Sequence, residues 1–495
     1  MTTPPPDRPT TPPAAPPTTA DTHHPVHDIV GIGIGPFNLS LAALADAVPD
    51  LDCLFLDARD TFRWHHGLML DGARLQVPFL ADLVSLVDPT SRWSFLNYLR
   101  QHDRLFPFYF AERLHPTRRE YDDYCRWVAH SLPTCRFGRT VTAVHRHDSH
   151  TFRVEYRPTT GGPVRTCFTR NVVLGIGTAP TVPDTLRPLL GPRVWHAADH
   201  LGRRAELDGA ADITVLGSGQ SGAEIFLDLL RTHGNAEKPT GPATPTLTDD
   251  PGRPGTPAHP GAEPTDAPAG PRLRWLTRTR AFAPMEYSKL GLEHFTPDHT
   301  RHFHGLPQAV RDRLLPTQWQ LYKAASADTL ADIHDALYDL GTGGATPRAE
   351  LLPDTEVTGA HREDDTLAGA LVLDCRNGTT GARFQIRTDA LVLATGFAAP
   401  TPEPLAPIDE LIRRDDAGRL RVGLDHRVEL RPLTDAGLYV QNAELHTHGV
   451  GTPDLGLGAW RAATILHAVT GRRLHRLPAR TAFTTFGPPP QARHL

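Results

Sequence analysis

Apolar residues in this chain gather in short unbroken runs that stop at glycine, and residues at helical spacing follow them. Ile29–Ile34, inside HDIVGIGIGPFN, predicts a strand buried on both faces. LSLAALADAV predicts an apolar helix, and LDCLFLD, residues 51–57, a second strand ending on an acid. Strand, helix and strand in that order make one βαβ unit. DITVLGSGQSGAEIFLDLL, residues 212–230, opens a second unit, with RLRWLT, residues 272–277, as its return strand. DALVLATGF, residues 389–397, reads as another buried strand with a glycine turn, and residues 457–470 as a closing helix. The pattern is that of an α/β chain with two Rossmann-like dinucleotide-binding domains.

Two proline-rich stretches interrupt it. Residues 1–26, beginning MTTPPPDRPTTPPAAPPTTA, have neither the basic nor the apolar region of a signal peptide and read as a disordered tail. Residues 235–271 build no core element and read as a flexible insert in the second unit. No run approaches ~18 consecutive apolar residues, so no membrane span is expected. A net charge of −5 over 495 residues offers no footprint for nucleic acid or an anionic membrane. The five cysteines (Cys53, Cys125, Cys135, Cys167, Cys375) are scattered with no CxxC pair. That argues against a disulfide framework or a zinc site and suits a reducing, cytoplasmic location.

The glycines carry the first chemistry. Gly31, Gly33 and Gly35, followed by Pro36, let the backbone turn out of the strand and approach a pyrophosphate, where a Cβ would obstruct. The helix start then offers free N–H groups to phosphate. Asp57 ends the next strand, where a ribose hydroxyl is expected. In this reading Pro36 stands at the strict third-glycine position. The second unit matches G-x-G-x-x-G through Gly217, Gly219, Gln220, Ser221 and Gly222. Its return strand ends not on an acid but on Thr277-Arg278-Thr279-Arg280, and arginine suits a 2′-phosphate. Two such sites in one chain, the second inserted within the first, describe a flavoprotein that takes FAD and is reduced by NADPH. Gly396, in ATGF, reads as a late turn against the flavin.

A family is legible in longer stretches: GIGIGPFNLSLAAL, FRWHHGLMLDGARLQVPFLADLVSLVDPTSRWSFLNYL, VLGSGQSGAEIFLDLL, EYSKLGLEHFTP, LATGF and HTHGVGTPDLGLGAWR. The chain resembles the NADPH-dependent lysine/ornithine N-hydroxylases, the flavin monooxygenases of hydroxamate siderophore biosynthesis. The resemblance implies an FAD domain from residues 27–190 and 389–485, and an NADPH domain from 191–284 and 341–388. It also implies a small, mainly helical substrate region at 285–340. It implies reaction of O2 with reduced FAD to a C4a-hydroperoxide, whose distal oxygen is attacked by the terminal amine of a small-molecule substrate. By match to the family's motifs, Gln76 lies beside the flavin and nicotinamide, Trp64 and His65 in a flavin-contacting segment, and Leu455 in the stretch closing over FAD. A homo-oligomer is the family tendency.

The apolar run Leu75–Leu80 agrees with the need to exclude water and to favour a neutral amine over the ammonium. The family usually reads FLKDL after the glutamine, its lysine meeting the substrate carboxylate; here that position is Ala81. A second carboxylate partner, an asparagine in the ornithine enzymes, falls on Leu292. A diamine, cadaverine or putrescine, is therefore favoured over L-lysine or L-ornithine, with Arg74 or Lys289 as replacement cations if an amino acid is used. His446 and His448, at i, i+2 with no third ligand, do not make a metal site. A disulfide reductase would need a redox cysteine pair, and a Baeyer–Villiger enzyme a fuller motif than WHAADH. A non-catalytic NADPH/FAD-binding regulator would have no need of the segment over residues 62–99.

Overall fold

The computed structural model describes residues 25–234, 236–237, 270–364, 366 and 369–489. The expected tail over residues 1–24 and most of the 235–271 insert lie outside the described residues. Val26, counted with the tail on sequence alone, already opens the first strand.

Val26–Ile32 sits at the centre of a seven-stranded sheet, paired in parallel with Cys53–Leu56 on one side and Arg165–Leu174 on the other. Gly437–Val440 adds in parallel beyond Arg165–Leu174, so this unit is closed by the far end of the chain. An antiparallel extension, Arg139–Arg146 and Phe152–Pro158, continues from the longer end of the same strand. The central strand is hydrophobic on both faces because both are covered: helices lie on one, and Arg139–Arg146, Phe152–Pro158 and Glu403–Leu411 pack on the other. Pro36–Ala45, with proline at its first turn where no N–H is needed, packs against Gly458–Thr470. Leu39, Leu41, Ala462 and Ile465 are all wholly buried in the core that this pair helps to build.

The second sheet is wholly parallel, in the order Ala349–Leu352, Arg272–Leu276, Asp212–Leu216, Ala390–Leu393, Val194–His196. One boundary therefore differs from expectation. The strand in DALVLATGF, assigned on sequence to the first unit, pairs with Asp212–Leu216 in the second. Its run of buried apolar residues announces a parallel strand, and nothing local says which sheet it joins. Gly396 follows that strand, and its carbonyl accepts from His196 Nε2 (3.0 Å) and from the Thr181 N–H (2.9 Å). The two crossings between the units, Ala179–Pro180 and Phe397–Ala398, pair antiparallel.

Residues 291–340 are helical, ending in Ala327–Leu340, whose Ser326 cap accepts from the Thr329 N–H. All five cysteines are buried free thiols, and burial pushes Cys53, Cys135 and Cys167 up to about 12. No helix among the described residues is long and apolar enough to cross a membrane.

Candidate active site

The two glycine turns adopt one geometry. Gly33 has φ +87°, and an added Cβ would lie 2.6 Å from the Gly175 carbonyl oxygen at the end of Arg165–Leu174. Gly217 has φ +120°, and its Cβ would lie 2.2 Å from the Ala394 oxygen at the end of Ala390–Leu393. Gly35 and Gly219 then stand at the N-caps of Pro36–Ala45 and Gln220–His233 with no side chain over the free N–H groups. Both are cradles of the size and polarity that a pyrophosphate requires.

The match corrects the reading of the first turn. Gly31 lies inside its strand, opposite Phe55, whose ring would be 2.2 Å from a Cβ. Gly33 and Gly35 correspond to Gly217 and Gly219, so the third position is Asn38 rather than Pro36. Gly222 holds that place in the second unit because its Cβ would meet the Gly217 oxygen at 2.1 Å. Asn38, wholly buried, donates to the Gly33 carbonyl at 2.8 Å and accepts from Gln441 at 2.7 Å. Sequence reading missed both amides: the glycine spacing hid the one, and nothing local marks the other.

Asp57 stands where expected, accepting the Ile34 N–H at 2.7 Å beside the turn. Its carboxylate also holds the Arg59 guanidinium, at 2.9 Å from Nε and 2.6 Å from Nη2. Trp64 donates its backbone N–H to Asp122 (2.7 Å) and sets its ring edge-on to Tyr121. His65, left-handed at φ 47°, faces Phe397 across the seam between the units. Its surroundings, and then the Arg118 charge, pull the imidazole below its ordinary range.

At the second turn, Ser218 bonds to Thr277 (2.8 Å) and Thr279 (3.1 Å), tying the glycine loop to the end of the return strand. Arg278 and Arg280 are both exposed there. Lys323 adjoins: its carbonyl would be 3.1 Å from a Cβ on Gly219, and its ammonium is depressed by burial and then by Arg278. A lone lysine in a distant helical stretch left no trace of this in the sequence.

Gln76 reaches the second turn from the first unit. Its amide N–H2 donates to Gln220 Oε1 at 2.7 Å, while its loop is pinned by Leu75 N–H to Pro116 (3.0 Å) and Phe79 N–H to Leu114 (2.8 Å). Ser221 lies in the first turn of the same helix as Gln220. Ala81 is buried, 3.9 Å from an added Cβ on Gly456, and Leu455 packs partly buried beside that core. Asp454 accepts the Gly456 N–H at 2.6 Å and has no ion-pair partner among the described residues; burial lifts it to about 6. The buried Tyr287 hydroxyl has no hydrogen-bond partner among the described residues, and burial, then the charges of Asp454 and Asp328, oppose its ionisation.

Other expected residues fall elsewhere. Leu292 is exposed. Arg74 gives its guanidinium to the His115 carbonyl (3.1 Å), and Lys289 is exposed. His446 bonds the Leu420 carbonyl (2.8 Å), and His448 stacks on His426. Among the described residues no group of three or more His, Cys, Asp or Glu is placed to hold a metal ion.

Comparison with known proteins places these features. The family described as L-lysine 6-monooxygenase/L-ornithine 5-monooxygenase matches residues 25–240 and 264–399. A rhizobactin siderophore biosynthesis protein of Rhizobium meliloti is 40 % identical over 93 % of this chain and 95 % of its own length. A putrescine N-hydroxylase of Shewanella oneidensis is 38 % identical over 94 % of this chain and 84 % of its own. Among solved structures, an FAD-bound cadaverine monooxygenase of Erwinia amylovora superposes with a TM-score of 0.83 at 34 % identity, covering 95 % of this chain and 100 % of that one.

Proposed function

The chain belongs to the L-lysine 6-monooxygenase/L-ornithine 5-monooxygenase family, and from that premise we propose that it N-hydroxylates a short aliphatic diamine, with FAD and NADPH as its cofactors. The first cradle, Gly33 and Gly35 with Asp57, suits the adenosine and pyrophosphate of FAD. The second, Gly217 and Gly219 flanked by Arg278 and Lys323, suits a nucleotide carrying an extra phosphate. Bound flavin supplies the oxygen chemistry. The protein binds and orients the reactants, and the apolar wall from Leu75 to Ala81 keeps water from them.

The observation that carries the diamine reading is the chemistry around Ala81. A buried substrate carboxylate needs a cation, and leaving it unpaired costs several kcal/mol. Ala81 offers none, and beyond Gly456 lies the Asp454 carboxylate, which is itself under the charge of the buried Arg461. The Asp454 carboxylate attracts an ammonium and repels a second carboxylate. The substrates of the Shewanella and Erwinia relatives, putrescine and cadaverine, are of this kind. The Rhizobium relative supports a place in siderophore biosynthesis.

Initial rates of hydroxylamine formation on putrescine, cadaverine, L-ornithine and L-lysine test the reading. A diamine is expected to lead by at least about tenfold, since one lost charge-assisted bond is worth about 1.5–3 kcal/mol. A preference for an amino acid overturns it. A preparation that binds no FAD overturns the enzyme reading as well. Self-association fits the exposed aromatic face of Leu105–Phe110, where Phe106, Tyr109 and Phe110 are each at least 70 % exposed. A cytoplasmic site of action fits five buried reduced thiols.

A further inference from the structure

An amide side chain can be turned either way, and its orientation is settled only by partners that are donors or acceptors alone. Gln220 has such partners on both sides. Its Oε1 receives the Ser326 backbone N–H at 2.7 Å, which can only donate. Its amide nitrogen gives one proton to Glu224 Oε1 at 2.8 Å, which as a carboxylate can only accept, and the other to Thr329 Oγ1 at 3.0 Å. The atom of Gln76 that lies 2.7 Å from Gln220 Oε1 must therefore be its N–H2. That leaves the Gln76 oxygen with no hydrogen-bond partner among the described residues.

The relay starts from a buried ion pair. Glu224 and Arg118 have side chains 7 % and 12 % exposed and approach at 2.7 Å (Oε2 to Nη1) and 2.9 Å (Oε1 to Nη2). Arg118 belongs to the first unit and also donates to the Leu68 carbonyl (3.2 Å); Glu224 belongs to the second. Ser326 and Thr329 come from the helical region. All three parts of the molecule thus meet at Gln220, and burial drives Glu224's carboxyl up against the pull of Arg118.

We propose that Gln220 is a positioning residue, held by Glu224 and Arg118, that fixes the Gln76 amide with its oxygen presented to the cleft as a hydrogen-bond acceptor. The groups that oxygen can take are N–H and O–H donors, and the flavin ring and the nicotinamide carboxamide both carry N–H. The inference rests on the reading of this cleft as the place where the two cofactors meet. Because Gln76 comes from the first unit and Gln220 from the second, the contact also registers one cofactor domain against the other.

A double-mutant cycle tests it, with Gln76→Ala, Gln220→Met and the pair made in the full chain. Two quantities are read: the rate of flavin reduction by saturating NADPH without oxygen, and the change in the flavin absorption spectrum when NADP+ binds. If Gln220 acts through Gln76, each single variant slows reduction by about ten- to a hundredfold, and the double variant is no worse than Gln76→Ala. The NADP+-induced spectral change should be altered alike in all three. Additive losses, or an unaltered spectrum in Gln220→Met, overturn the proposal. Should Gln220→Met fail to retain flavin, Glu224→Gln, which keeps the volume and one oxygen, carries the same spectral test. A wild-type protein whose flavin NADPH does not reduce defeats the cofactor reading instead, which separates the two failures.

Discussion

The two glycine turns share a backbone and differ in what surrounds it. In each, a positive-φ glycine lies against the carbonyl that ends the neighbouring strand, Gly33 against Gly175 and Gly217 against Ala394. The first is acidic at its rim, through Asp57. The second is cationic, through Arg278 and Lys323. At the third position the first places Asn38, an amide wired to Gln441, and the second places Gly222, which has no room for a methyl group. Sterics set the turn, and the polar rim is where the two turns differ.

The comparison breaks most severely at its shared element. Gly33→Ala should yield protein without flavin, since both the positive φ and the 2.6 Å approach to backbone exclude a Cβ. Gly217→Ala should keep flavin but lose reduction by NADPH. Flavin-to-protein absorbance ratios and anaerobic reduction tell the two apart. If both variants lose flavin, the units are not independent sites.

The charged rims come next. Arg278→Ala with Lys323→Ala should raise KM for NADPH about ten- to a hundredfold while leaving NADH nearly unchanged, as expected for a lost phosphate contact. An equal loss for both nucleotides would place these cations elsewhere. Asn38→Ala should follow, lowering stability by about 1–3 kcal/mol in denaturant unfolding because Gln441 and the Gly33 carbonyl lose a buried partner. No such cost attends the second turn, where the same position is already glycine.

The smallest effect concerns pH. Burial holds the Asp454 carboxyl at about 6, above its ordinary 3.8. Above about 6 it is ionised and attracts an ammonium; below, it is neutral. KM for a diamine should therefore climb as pH falls through 6, and the slope should vanish in Asp454→Asn, which keeps an oxygen to accept the Gly456 N–H. The sign for stability is the reverse. The folded state binds this proton more tightly than the unfolded chain, so this group's contribution improves as pH falls from about 6 towards 3.8.

Much of this was legible in order and spacing. The strand, glycine turn and helix of each unit are local, and the acid on Asp57 and the arginine at Arg278 stand at the ends of strands that periodicity marks. The glutamine at 76 and the alanine at 81 were visible through family likeness, though not what they touch. Three features were not legible. The strand Ala390–Leu393 joins the second sheet, because a buried apolar run carries no address. Asn38 replaces a glycine, because its amide is satisfied from Gln441 at the other end of the chain. Lys323 reaches the second turn from a helical segment with no local signal.

By itself, then, the sequence determined the two βαβ units, their glycine turns and the polarity at each strand end, since these depend on neighbours a few residues away. Only the tertiary structure decided which way the Gln76 amide faces and what surrounds Ala81. Those are set by hydrogen bonds and charges from Gln220, Glu224, Arg118 and Asp454, which the fold alone brings together.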